Sequence, residues 1–467
     1  MPSSLSAALG ETARNAREAT AIRSADGALS YGEVADRVEE LSQILRVERG
    51  ERIGILLPNL PQLPLAFHAI LTGGGSAVLL NPLSSGREID EHLRDAGVRR
   101  VITAGTLADR VGVAAPLRLE DPGSWRDAPA DAERTEAGKD EAVVIHTSAM
   151  AGRARGARLS HANLIANARS TVEAMQLSAD DVVIAALPWA HLFGLTVTLN
   201  APLTVGATTV PIARFHPART VDAAVALGGT VMVGVPAMYA TMVAVAERRG
   251  VPENSLRVAI CGGAPLPAPV ARRFETLFGI PVRQGYGLTE AGPVCLFNRI
   301  DRPNRIGTLG LPFPGVDASV RDTAGGEMDP GEVGELCVRG PNVFLGYTGD
   351  SGQRPEDFHG DWLRTGDLAS VDREGYFRYR GVLKSMFTRS GFNVYPNEVA
   401  RALEEDPRIE AARICAAPDA ERENEVVLFL TRAPGATLSE EEVRALCKER
   451  LATYKQPGRI FVESRRA

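Results

Sequence analysis

The sequence predicts an α/β protein: a large N-terminal domain of stacked α/β sheets that carries a small β-barrel, followed by a small α+β C-terminal domain. Three observations predict it. Short apolar runs alternate with helix-period stretches as far as about residue 300, short strands parted by Gly and Pro follow Gly307, and from about Lys384 two helical and two strand-like segments close the chain. Alternating strand and helix is the signature of a parallel sheet, and closely spaced short strands that of a small antiparallel one.

Residues 29–45, LSYGEVADRVEELSQIL, set apolar side chains at helical spacing behind Ser30, a residue suited to cap the first turn. RIGILLPN follows as an apolar run closed by Pro-Asn, then an apolar helix from about Pro61 to Leu71, a glycine turn, and SAVLLNP as another strand. From Leu117 to Asp140 the chain turns polar and rich in Asp, Pro and Ala, the composition of a surface linker. The rhythm resumes with VVIHTS, DVVIAALP, TTVPI, TVMVGVP, RVAICGG and IPVRQGYG. Parallel strands present their C-terminal ends at one edge, where open α/β sheets bind ligands, so HTS, LPWAH, GVP, CGGAP and QGYGLTE are expected around one crevice. Beyond Gly307, DASVRD, GELCVRG, WLRTGDLASVD and YFRYRG read as antiparallel strands. Beyond Lys384, NEVARALEEDPRI and SEEEVRALCKERL read as helices, AARICAAP and EVVLFL as strands.

A chain of 467 residues suggests two or three domains. A formal charge of -6 argues against nucleic acid or an anionic membrane as the main partner and leaves small molecules or a protein. The five cysteines are far apart with no CxxC, and the seven histidines form no HxH or HxxxH pair, so neither a zinc site nor a redox pair is indicated. The N-terminus has no basic start followed by an apolar core, and no apolar run nears the roughly 18 residues of a membrane span. A cytoplasmic protein is expected.

VVIHTSAMAGRARGARLSH, residues 143–161, has the rhythm of a phosphate loop, T-S-x-x-x-G-x-x-[KR]-G, between an apolar strand and a helix starting near Ser160. QGYGLTEAG (284–292), WLRTGDLA (362–369), GFNVYPNEVA (391–400) and LATYKQP (451–457) follow in order. Together these segments resemble the adenylate-forming superfamily of acyl-CoA synthetases, nonribosomal-peptide adenylation domains and luciferases, over nearly the whole chain. The resemblance implies an acyl- and AMP-binding domain over 1–381, β-rich over about 307–381, and a shortened, mobile C-terminal lid over 382–467 with its hinge near Lys384. It also implies two half-reactions, in which a carboxylate and ATP form an acyl-AMP and the acyl group then passes to a thiol.

By resemblance, Thr147, Ser148, Gly152 and Arg155 face the phosphates, and Gly262, Gly263, Ala264 and Tyr286 hold adenine. Asp367 takes the ribose hydroxyls, Thr289 binds phosphate and Glu290 holds Mg²⁺, a hard cation that prefers carboxylate oxygen. His191 lines the acyl pocket and joins Thr289 and Glu290 as a catalytic candidate. Trp189, Phe193, Gly234, Val235 and Met238 are candidate pocket walls, and the loop around Gly391 lines the pantetheine tunnel. Each has a plainer reading: GGAP as a tight turn, Tyr286 as a core aromatic, His191 as a structural histidine, the pocket walls as core.

Three departures bear on the ATP half-reaction. Ala149, Met150 and Ala151 replace the glycine and hydroxyls that a phosphate-cradling loop uses, although Arg155 keeps a cation. Val382 stands where the family has an arginine, and Arg380, two residues earlier on a strand, would share its face. After YKQPGRIFVESRRA there is no Gly-Lys to supply the family's catalytic lysine. Impaired adenylation is expected, leaving transfer of an acyl group from a preformed acyl-CoA to a thiol such as the phosphopantetheine of an acyl carrier protein. The alternatives are a working AMP-forming acyl-CoA or acyl-carrier-protein ligase, with ATP, Mg²⁺ and coenzyme A, and a non-catalytic scaffold in a biosynthetic complex. With no Arg or Lys evident among the pocket segments, a monocarboxylic acyl or aryl group is the expected substrate.

Overall fold

The computed structural model describes residues 2–121, 125, 140–147, 155–349, 353–383, 387–419 and 421–463. Among them two large sheets stack on a shared core. The nine-stranded sheet runs from Leu311–Pro312 through Val294–Phe297, Val282–Gly287, Val258–Cys261, Val231–Gly234, Val182–Ala185, Thr208–Pro211 and Thr20–Ser24 to Gly27–Ser30. The six strands from Val282–Gly287 to Thr20–Ser24 are mutually parallel. The seven-stranded sheet orders Gly346–Tyr347, Arg155–Ser160, Glu141–Thr147, Ser76–Leu79, Arg52–Leu56, Arg100–Thr103 and Ala115–Arg118.

The helices begin where local chemistry lets them. Ser30, Ser85, Ser160 and Ser439 each cap a helix through a reciprocal bond with the residue three positions on: Glu33, Glu88, Asn163 and Glu442. Such a cap satisfies backbone N–H groups that the first turn leaves open. Helix Gln62–Thr72 is buried over nearly its whole length, which explains why its sequence is apolar on every side.

Strands Asp317–Arg321, Gly334–Arg339, Trp362–Val371 and Phe358–His359, with Phe377–Val382 paired to the third, form an antiparallel half-barrel. The C-terminal segment has its own core, with Val399, Leu403, Leu428, Leu430, Val443 and Leu446 packed between helices Pro396–Glu404 and Glu440–Arg450 and three strands. The third strand, Arg459–Glu463, runs parallel to Glu423–Arg432 and is absent from the sequence reading.

Three expectations are corrected. The HTS strand does not join the other four segments in one sheet: Glu141–Thr147 belongs to the seven-stranded sheet, so the crevice lies between two sheets. The helix does begin where expected, with Ser160 as its cap, but a strand that the sequence reading lacks stands before it. Glu141–Thr147 pairs antiparallel with Arg155–Ser160, and helix His161–Met175 begins only after that second strand. The described part of the expected surface linker is not all surface, since Leu117 and Trp125 are buried and Trp125 donates to the Arg118 carbonyl at 2.8 Å. Among the described residues no helix is long and apolar enough to cross a membrane.

One buried ion cluster fixes the seven-stranded sheet. The Glu141 carboxylate accepts from Arg52 Nε and Nη2 at 2.7 and 2.8 Å and from Arg158 Nε at 2.8 Å. Burial alone would raise Glu141, but the two arginines outweigh it and hold the carboxyl below its usual range. Glu141→Gln leaves both guanidiniums short of a counter-charge and is expected to cost about 3–5 kcal/mol, read by urea denaturation at pH 7. Because the folded pKa lies below the unfolded one, this contribution is complete above the unfolded value and fades as pH falls through the folded one. The gap between wild type and variant should therefore narrow in acid.

Candidate functional site

A crevice of about 720 Å³ opens where the two sheets, the half-barrel and the C-terminal segment meet. An apolar pocket of about 60 Å³ leads off it, and His191, Gly263 and Gly285 to Thr289 border both spaces. Thr171, Met175, Phe193, Val197, Phe297 and Phe313 complete much of the pocket wall. Among the described residues lining the pocket there is no arginine or lysine.

The loop that carries His191 is held from the opposite sheet. Asn59, just past strand Arg52–Leu56, donates to the Ala185 and Leu187 carbonyls at 2.8 and 2.7 Å and accepts from the Trp189 N–H at 2.8 Å. His191 Nδ1 accepts from the Phe193 N–H at 3.3 Å, which leaves its proton on Nε2. The ring is exposed to the crevice, and desolvation by the protein packed around it draws the imidazole below its ordinary pKa, so His191 is a neutral hydrogen-bond donor at pH 7. Ala190 beside it lines the wider crevice.

Gly262 lies against Phe193, and a Cβ there would stand 2.8 Å from the ring. Ala264 lines the crevice, and Gln284 braces this turn by accepting from the Leu266 N–H at 3.2 Å. Tyr286 donates its hydroxyl to Asp367 Oδ2 at 2.6 Å, joining the nine-stranded sheet to the half-barrel. Burial and the Asp367 charge push that hydroxyl well above its usual pKa, so it remains a donor.

At the Thr147–Glu290 end of the crevice, Glu290 Oε1 accepts from Thr147 Oγ1 at 3.3 Å and from the Tyr347 hydroxyl at 2.7 Å. The Arg155 guanidinium sits 4.3 Å from the Tyr347 ring centroid, a cation–π contact, and Arg354 approaches the same ring at 5.4 Å. Ser148 and Gly152 lie outside the described residues, as does Lys384. Among the described residues no three His, Cys, Asp or Glu side chains gather as a metal cage. Glu290 nevertheless suits Mg²⁺, which binds through one or two carboxylates plus phosphate oxygens and water.

Behind this end lies a polar cluster that sequence reasoning missed. Asp95 Oδ2 stands 2.9 Å from His146 Nε2, accepts from the Gly156 N–H at 3.3 Å, and is bonded by the Thr348 hydroxyl. Burial would raise Asp95, but these bonds outweigh it and lower its pKa. His92 stacks on His146 with ring centroids 4.2 Å apart, and burial first, then His146 and Lys455, keep His92 neutral. Residues 95, 146 and 348 show no shared spacing in the chain, so no sequence motif announces the cluster. Tyr347 did carry a weak signal as an aromatic set between turn glycines in LGYTG.

The C-terminal segment reaches the crevice through the hairpin of Phe387–Arg389 and Phe392–Val394. Its turn uses Gly391 at φ 79°, and a Cβ there would meet Val235 Cγ1 at 2.5 Å. The GVP segment is thus a seat for the hairpin. Gly234, Val235 and Met238 are not among the residues lining the apolar pocket. Trp189 is likewise corrected from pocket wall to core: it is fully buried and donates to Thr198 Oγ1 at 3.0 Å.

Arg380 does not share a face with Val382. Asp367 pairs with Val382 and Leu368 with Gly381, but Ala369 pairs with Tyr379, so a bulge leaves Arg380 without a partner in the register. The alternation that would have put residues 380 and 382 on one face is broken. Arg380 is exposed and donates to Ser370 Oγ at 2.9 Å, while Val382 lines the crevice.

Comparison with known proteins matches this geometry to a group. The profile of the AMP-binding enzyme family matches residues 9–348. A feruloyl-CoA synthase from Amycolatopsis is 34% identical over 456 residues, covering 96% of this chain and 92% of its own length. A double mutant of o-succinylbenzoate CoA synthetase from Bacillus subtilis, bound with a product analogue, superposes at TM-score 0.86 with 26% identity over 98% of this chain and 94% of its own. ATP-bound MatB from Rhodopseudomonas palustris superposes at TM-score 0.73 with 28% identity over 99% and 95%.

The bond between Tyr286 and Asp367 gives a direct test of the site's assembly. Tyr286→Phe removes a hydrogen bond to a charged acceptor and is expected to lower stability by about 1.5–3 kcal/mol in chemical denaturation.

Proposed function

The chain belongs to the AMP-binding enzyme family and is acyl-CoA synthetase-like; from that premise we propose that it moves an acyl group between thiols and adenylates a free acid only weakly. The apolar pocket would take the acyl chain, and the Gly391 hairpin would guide the thiol. In the transfer, the incoming thiol sulfur bonds to the acyl carbon as the carbon–sulfur bond to coenzyme A breaks, and the thiol proton passes to the departing thiolate. His191, a neutral donor at the pocket mouth, would hydrogen-bond the thioester carbonyl oxygen. The acceptor class is a phosphopantetheine thiol, free or on an acyl carrier protein. A pocket with no lining arginine or lysine favours a monocarboxylic acyl or aryl group.

The observation that carries this reading is the bulge at Arg380. It turns that arginine out to Ser370 and leaves Val382 in the crevice wall. A charge-assisted hydrogen bond to a nucleotide at this point would be worth about 1.5–3 kcal/mol, and its absence falls on the ATP half-reaction alone. The division assumed is a body over 1–381, with its β-rich part about 307–381, and a mobile lid over 382–467 hinged near Lys384, in a cytosolic protein.

A second reading, a working AMP-forming acyl-CoA ligase, is favoured by the retained nucleoside and phosphate groups. Tyr286 and Asp367 would take adenine and ribose, Thr147, Thr289 and Arg155 the phosphates, and Glu290 a Mg²⁺ ion, which when bound would neutralise phosphate charge. Similarity to the feruloyl-CoA synthase favours it too.

Two assays on the purified chain separate the readings across a panel of aliphatic and aryl acids and their CoA thioesters. Transfer from acyl-CoA to pantetheine with little ATP–pyrophosphate exchange is expected; fast exchange with any acid overturns the proposal in favour of the ligase. Val382→Arg should raise the exchange rate about tenfold or more, the factor that one charge-assisted bond supplies.

A further inference from the structure

We propose that Lys455 is a positioning residue: bonded at once to Glu88 and Glu398, it latches the C-terminal segment to helix Gly86–Asp95 and holds the Gly391 hairpin in the crevice for the thiol step. The last clause rests on the thiol-transfer reading above; the latch itself does not.

Lys455 is 4% exposed, and its Nζ lies 2.9 Å from Glu88 Oε1 and 2.6 Å from Glu398 Oε1. The two carboxylates come from opposite sides of the contact. Glu88 sits in the first turn of helix Gly86–Asp95, where its other oxygen accepts from the Ser85 N–H at 2.9 Å to close the capping box. That leaves Oε1 for the lysine. Glu398 sits in the first turn of helix Pro396–Glu404, directly after the hairpin, and its Oε2 is buried with no hydrogen-bond partner among the described residues. A buried cation shared by a buried and a largely buried carboxylate is a strong constraint on geometry. Remove it, and both acids face the same low-dielectric site without a counter-charge.

The residues around Lys455 brace the hairpin from behind. Tyr454 stacks on Phe392 with ring centroids 4.5 Å apart and planes at 19°. Arg389, on the first hairpin strand, donates to the carbonyls of Tyr454 and Gln456 at 3.1 and 2.6 Å. The turn that carries the lysine therefore holds both hairpin strands. Across the same boundary the Thr453 N–H donates to the Leu83 carbonyl at 3.3 Å, and Arg87 pairs with Glu405. The Arg87 pair is half-exposed and adds little. The buried lysine is the contact on which the docking turns.

The test reads position and chemistry separately in the full chain. Spin labels are placed by Glu253→Cys and Glu441→Cys, both exposed sites, with Cys415→Ser because the other four cysteines are buried. Inter-label distances by pulsed electron resonance are then compared for wild type, Lys455→Met, Lys455→Arg and Glu88→Gln. Glu88→Gln keeps an oxygen for the Ser85 cap and leaves the C-terminal segment unaltered, so it stands in should Lys455→Met fold poorly. A single dominant distance is expected in wild type, a broader and shifted distribution in Lys455→Met and Glu88→Gln, and largely wild-type behaviour in Lys455→Arg. In parallel, transfer from acetyl-CoA to pantetheine should slow about tenfold or more in the first two variants, with KM for pantetheine raised, while AMP binding by titration calorimetry stays within about twofold. Unchanged distances in both Lys455→Met and Glu88→Gln overturn the latch whatever the rates. Shifted distances with no acyl transfer in wild type uphold the latch and refute the thiol-transfer reading alone.

Discussion

The bonds between Glu141 and its two arginines are the constraint on which the Thr147–Arg155 end of the crevice depends. Arg52, Glu141 and Arg158 stand on three strands of one sheet, and strands Glu141–Thr147 and Arg155–Ser160 carry Thr147 and Arg155 at the ends that face the crevice. Arg52 also donates to the Ala96 carbonyl at 3.2 Å, which anchors the C-terminal end of helix Gly86–Asp95. A buried carboxylate with three short charge-assisted bonds has no second arrangement of comparable energy. The hairpin and the helix are therefore set by the same side chain.

That helix touches the site at both ends. Near its start Glu88 meets Lys455; at its finish Asp95 meets His146, Gly156 and Thr348. Thr348 follows Tyr347, whose hydroxyl holds Glu290. A run of direct contacts thus joins the docking of the C-terminal segment to the groups that would face phosphate. That path runs through a single ten-residue helix, about 15 Å long.

The site is uneven in what it offers. At one end Tyr286 and Asp367 are joined, and Gln284 braces the Gly262–Gly263 turn. At the half-barrel edge, one extra residue on a strand turns a guanidinium away and presents an isopropyl group instead. A β-bulge shifts the face of every residue beyond it.

Much of the fold is legible in the sequence because it rests on local rules. Serine caps, apolar runs closed by Gly or Pro, and the change of strand spacing after Gly307 mark the helices, the parallel strands and the half-barrel before any contact is known. The motif residues Thr147, Tyr286, Glu290 and Asp367 do meet in one crevice, as their places at strand ends imply. Three things escaped that reading: the split of the strands between two sheets, the seat of Gly391 against Val235, and the outward turn of Arg380. Each depends on register or on partners tens to hundreds of residues away, which periodicity does not encode. Lys455 illustrates the limit most clearly. The sequence by itself determined a lysine beside an aromatic near the end of the chain; only the tertiary structure, by bringing Glu88 and Glu398 to within 3 Å of its nitrogen, decided that it would join the two parts.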